Sequence, residues 1–143
     1  MEAAELFSIW RRFKNRVASW RLDERCSKEL EFKRVSCGPS TYAHVRFECC
    51  PADTLSFEMG TSWPGHLGPD YTRLLEQAMT AAIVDTLLAG SKCPYLGCSL
   101  KCVQVGWDDV GSSEVTFYSA TRGAVSKLRE EERWISIGRR NVT

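Results

Sequence analysis

The chain has 143 residues, 43% hydrophobic and 26% charged, with a net charge of +1. That length suits one core and predicts a single domain. The balanced charge excludes a chain-wide polyanion-binding signature, and with no run of about 18 apolar residues nothing here reads as a membrane span.

From Ala3 to about Ser19, Leu6, Ile9, Trp10, Phe13 and Val17 fall on one helical face, which Trp20 extends, and Arg11, Arg12, Lys14, Asn15 and Arg16 crowd the other. This predicts a basic amphipathic helix ending near Arg16. Val17 to Leu22 also reads as a strand. Glu2, Glu5, Arg11 and Arg12 interrupt any apolar leader, so a cytoplasmic protein is expected. The division expected is 1–28 for the helix and its lead-in and 29–143 for the domain.

Glu29 to Cys37 is predicted as a strand, turned by Gly38-Pro39-Ser40. Thr41 to Cys50 alternates, with Ala43, Val45, Phe47 and Cys49 one way and Tyr42, His44, Arg46 and Glu48 the other. After Pro51-Ala52-Asp53, Thr54 to Met59 makes a third strand with Leu55, Phe57 and Met59 inward. A Gly/Pro loop, Thr61 to Gly68, leads to a long helix with Gly68 as N-cap and Pro69 at its first position. Leu74, Leu75, Ala78, Ala81, Ala82, Val84, Leu87 and Leu88 form its apolar stripe, and Gly90 stops it. Burial is expected at Leu75, Ala78, Ala82 and Leu100.

Leu96 to Val105 reads as a strand, and Gly106 to Gly111 as a turn. Ser112 and Ser113 offer caps, and Glu114 suits either a capping box or the first turn. Val115 to Leu128 is the second helix, with contacts at Val115, Tyr118, Ala124, Val125 and Leu128. Arg133 to Gly138 is a short strand or tail. The plain packing for this order is two helices on one face of a four-stranded sheet.

Chemistry-bearing residues are sparse. Seven cysteines, Cys26, Cys37, Cys49, Cys50, Cys93, Cys98 and Cys102, read as free thiols in a reducing compartment. Cys93, Cys98 and Cys102 lack the tight Cys-x-x-Cys spacing of a zinc knuckle. His44 and His66 have no nucleophile beside them, Asp108 and Asp109 suit a turn, and no phosphate loop occurs. No catalytic site, cofactor or metal is expected.

Several stretches are similar to a known family. They are Val17-Ala18-Ser19-Trp20-Arg21, Tyr42-Ala43-His44-Val45, Leu55-Ser56-Phe57-Glu58, Tyr71 opening the long helix, Gly97 before a strand, and Gly111-Ser112-Ser113-Glu114. In order and spacing they resemble the fourth domain of translation elongation factor G and its eukaryotic counterpart, over roughly Glu31 to Leu128. The resemblance implies an α+β fold: a four-stranded, mainly antiparallel sheet with two helices on one face, in a split β-α-β arrangement with a left-handed crossover. An extra N-terminal helix is added here.

The implied function is a non-catalytic, stand-alone module that binds ribosome, RNA or a translation-associated protein such as a separately encoded factor, with no membrane partner. The candidate RNA- or partner-binding residues are Lys33, Arg34, Gly38, Ser40, His44, Arg46, Trp107 and Asp108, with Lys33, Arg34, Arg46 and the basic helix supplying the cationic groups. Two tip loops are shortened relative to the family, to Gly38-Pro39-Ser40 and to the acidic Trp107-Asp108-Asp109-Val110. The alternative is a protein-interaction module without a translation role, a homodimer through Trp10, Phe13 and Trp20. In either case the N-terminal helix is expected on the sheet face bearing Tyr42, His44 and Arg46, in the same chain or in a second copy.

Overall fold

A computed structural model describes residues 7, 18–34, 40–89 and 93–137. In chain order these contain β1 (Ser19–Leu22), β2 (Cys26–Arg34), β3 (Thr41–Pro51), β4 (Ser56–Met59), α1 (Pro69–Leu87), β5 (Cys98–Gly106), α2 (Glu114–Glu131) and β6 (Trp134–Ile137). The fold is α+β. One sheet has the order β2-β3-β5-β4, antiparallel except for the parallel β4–β5 pair. β1 and β6 form a second, two-stranded antiparallel sheet, with Ser19 opposite Ile137. The segment before Glu29 therefore contributes all of β1 and the start of β2.

Alternation along β3 decides which face is buried. Ala43, Val45, Phe47 and Cys49 are fully buried, and their partners Phe32, Leu30, Lys28 and Cys26 on β2 share that face. Leu100 and Cys102 continue it on β5. Between Arg46 and Phe47 the pairing slips from Gln104 to Cys102, so Val103 is the extra residue of a bulge. On the other face Glu29, Glu31, Lys33, Arg46, Glu48, Glu58, Lys101 and Gln104 are exposed. Phe7, which is helical, is buried in the core cluster. Trp10, Phe13, Cys37 and Gly90 lie outside the described residues.

The buried stripe of α1 is Leu75, Met79, Ala82, Ile83 and Leu87, with Thr80 and Thr86 beside it. Leu74 and Ala81, expected in that stripe, are exposed, and Ala78 and Val84 are only half-buried. Apolar residues occupy more than half the helix circumference, and the neighbouring helix selects the arc that is covered. In α2 the buried residues are Thr116, Phe117, Ala120, Thr121, Ala124, Val125 and Leu128. Val115 is exposed, and Tyr118 is half-buried with its hydroxyl donating to Asp85 Oδ2 at 2.5 Å.

Ser113 caps α2, Thr116 closes the capping box, and Glu114 takes the first-turn position open to it. The helix lies against α1, β2 and β3. At Gly123 an added Cβ would sit 2.4 Å from Leu30 Cδ2, so the glycine allows close approach to β2. Lys28 fastens the far end, its Nζ 3.0 Å from Glu131 and 2.9 Å from Glu132.

Candidate binding site

At one end of the four-stranded sheet, the start of β3 meets the turn between β5 and α2. The Tyr42 amide donates to the Gly111 carbonyl at 2.9 Å, and Ser112 Oγ donates to the Tyr42 carbonyl at 2.7 Å. Asp108 N–H donates in turn to Ser112 Oγ at 2.9 Å. Two of the family-like stretches, Tyr-x-His-Val and Gly-Ser-Ser-Glu, are thus bonded to each other. An added Cβ at Gly106 would lie 2.7 Å from Tyr42 Oη and 2.8 Å from His44 Cβ, so the glycine leaves room for both side chains.

Aromatic packing fixes this end from beneath. Phe117 of α2 stacks on Trp107 at 5.9 Å and takes Trp63 edge-on at 5.0 Å. Tyr71, at the start of α1, meets Trp107 edge-on at 5.9 Å. The outer surface carries a groove of about 340 Å³ lined by Lys33, Ser40, Thr41, Tyr42, Trp107 and Asp108. Four sequence-derived candidates, Lys33, Ser40, Trp107 and Asp108, are brought together here.

The remaining candidates are spread along the sheet. Arg34 sits opposite Thr41 at the end of β2. His44 is buried on the open face, its Nε2 2.5 Å from Glu29 Oε1. Arg46 is exposed there and donates to Ser27 Oγ at 3.2 Å. Gly38 lies outside the described residues. Trp20 belongs to β1 and stacks on Tyr95 at 6.1 Å, so it contributes to packing within this chain.

Sequence reasoning missed the pair His66 and Asp109, which are 43 positions apart. His66 Nε2 lies 2.6 Å from Asp109 Oδ1, the same oxygen that accepts from Trp107 Nε1 at 2.7 Å. The hydrogen bond from His66, and then that from Trp107, holds the Asp109 carboxyl below its ordinary value. A folded-state pKa that is lowered contributes stability above the ordinary carboxylate range and loses it as pH falls through the folded pKa. Both partners are largely exposed, so the effect is small and local. We expect Trp107 fluorescence to change as pH falls below about 4. Asp109→Asn should lose that transition; an unchanged acid transition in the variant would assign it to another carboxylate.

The thiols are placed for packing. Cys49, Cys98 and Cys102 are buried, and burial pushes all three upward, Cys98 to about 12 and Cys102 to about 11. Cys50 faces the other way and accepts from Arg25 Nε at 3.3 Å. Among the described residues, no three of His, Cys, Asp and Glu are grouped to hold a metal ion. No described helix is long and apolar enough to cross a membrane.

No family profile matches this chain, nor does any curated protein. Among solved structures it is similar to a protein described as ttk003000868 from Thermus thermophilus, with a TM-score of 0.64 and 22% identity. The similarity covers 83% of this chain and 18% of that one. At this identity the likeness is one of fold. The chain spans less than a fifth of the Thermus protein's length, so there the fold occupies one part of a much longer polypeptide.

Proposed function

We propose that this chain is a non-catalytic binding module of the elongation factor G fourth-domain kind, and that it engages a protein of the translation apparatus in the cytoplasm. The observation that carries this reading is the bonded junction of the two family-like stretches. Tyr42 and the Gly111-Ser112 turn hold each other in place beside the groove of Lys33, Ser40, Trp107 and Asp108. The likeness of fold to one part of a longer Thermus chain agrees with a module that is also carried inside larger proteins.

Charge favours protein over bare RNA as the ligand. The open face sets Glu29, Glu31, Glu48 and Glu58 against Lys33, Arg46 and Lys101. A surface that reads phosphates needs a cationic excess, and mixed signs suit a protein partner. A catalytic reading has less support. Each histidine is engaged by a carboxylate, and burial disfavours the thiolate at Cys49, Cys98 and Cys102.

The test is a tagged pull-down from native lysate, probed for ribosomal proteins with and without ribonuclease. Co-purification that survives ribonuclease supports the reading. Co-purification abolished by ribonuclease and falling steeply with salt would assign the site to RNA. Absence of ribosomal components would remove the translation role.

A further inference from the structure

The β1–β6 ribbon leaves one strand edge without a partner among the described residues, and its hydrogen-bond alternation can be read. Asp23 N–H donates to the Arg133 carbonyl at 3.0 Å, in line with the β1–β6 register. Residues 133, 135 and 137 therefore turn their backbone groups toward β1. The far side of β1 agrees. Trp20 and Leu22 donate away from β6, to the carbonyls of Pro94 and Gly97, and Gly97 donates to Trp20. By the same alternation Trp134 and Ser136 present their N–H and C=O groups on the outer edge of β6.

The side chains of that strand do nothing to protect it. Trp-Ile-Ser-Ile carries no charge, proline or bulge, the usual devices that keep an edge single. Ile135 and Ile137 share one face of the ribbon with Arg21 and Ser19, and they are 47% and 45% exposed. Trp134 is on the opposite face and packs edge-on to Tyr95 at 4.8 Å.

We infer that β6 is a self-pairing edge, which adds antiparallel to β6 of a second copy of this chain. The strand is complementary to itself about a two-fold axis at Ser136. In that register Ser136 bonds to Ser136 of the second copy through both N–H and C=O groups. Ile135 lies opposite Ile137 of the copy, and Ile137 opposite Ile135. These are non-hydrogen-bonded pairs, where side chains approach most closely, so four isoleucines meet on one face. The two ribbons become one four-stranded sheet with the order β1-β6-β6-β1. With four residues a side the contact is far smaller than a standard interface, so the association is weak and reversible.

Self-pairing of β6 depends neither on the translation reading nor on the N-terminal helix. The test is sedimentation equilibrium of the purified full chain under reducing conditions, from low to high micromolar concentration. The parent should shift from the mass of one copy toward two. Ile137→Lys puts a charge in the apolar cluster, and Ser136→Pro removes an outward N–H that β1 does not use, a substitution that an edge tolerates. Both variants should melt near the parent and stay at the mass of one copy throughout. A parent that never exceeds one copy overturns the inference, as do folded variants that still double in mass.

Discussion

Phe117→Ala is expected to destabilise the protein by about 3–5 kcal/mol, the range for removing a buried aromatic ring. Phe117 is fully buried and touches both Trp63 and Trp107. Its loss removes apolar area, opens a cavity and releases two indole rings at once. For a chain of this size the melting temperature should fall by roughly 10–20 °C. Tryptophan emission should also change well below the transition, because Trp63 and Trp107 lose the ring between them. Val115→Ala in the same helix should be nearly silent, since Val115 is turned outward and 72% exposed. Parent-like melting of Phe117→Ala would mean that α2 presents a different face to α1 and the sheet.

Gly97→Ala has the next largest expected effect, through a different cause. A Cβ at position 97 would lie 2.5 Å from Arg21 Cα and 2.6 Å from Arg21 Cβ. Backbone of β1 stands in the way, and it cannot rotate aside as a side-chain tip can. Gly97 also accepts from Leu22 and Ala52 and donates to Trp20. The added methyl must therefore push β1 off its bonds, at a cost of about 1–3 kcal/mol or more, as overpacking does. Amide exchange should rise first in β1 and β6 while β2, β3 and β5 stay protected. Gly65→Ala, with open space around its Cβ position, is the control that should change little. If exchange rose evenly over both sheets, the ribbon would not be a separate unit resting on Gly97.

β3 is legible in the sequence because a period of two assigns Ala43, Val45, Phe47 and Cys49 to one face without reference to any other strand. Cap chemistry places the starts of both helices, since Pro69 and Ser113 act on neighbouring residues. The phase of α1 is less legible. Leu74 and Leu75 are equally apolar, and only the location of α2 decides which of them is covered.

The ribbon is hidden for a stronger reason. Ser19 and Ile137 stand near opposite ends of the chain, and neither four-residue strand announces its partner. At the candidate site Lys33, Ser40, Trp107 and Asp108 could be named one by one, Lys33 from its charge and the others from the loops they occupy. Their convergence on one groove, and the contact of His66 with Asp109, depend on loops that meet only after the sheet and helices have packed.

If the groove end of this module binds a component of the ribosome, co-sedimentation with purified ribosomal particles at increasing protein concentration shows it most directly. The parent should pellet saturably, and the double variant Lys33→Ala with Asp108→Ala should bind at least about tenfold more weakly, a loss of roughly 1.4 kcal/mol, while melting like the parent. A parent that stays in the supernatant, or a folded double variant that pellets equally well, would contradict ribosome binding through the groove.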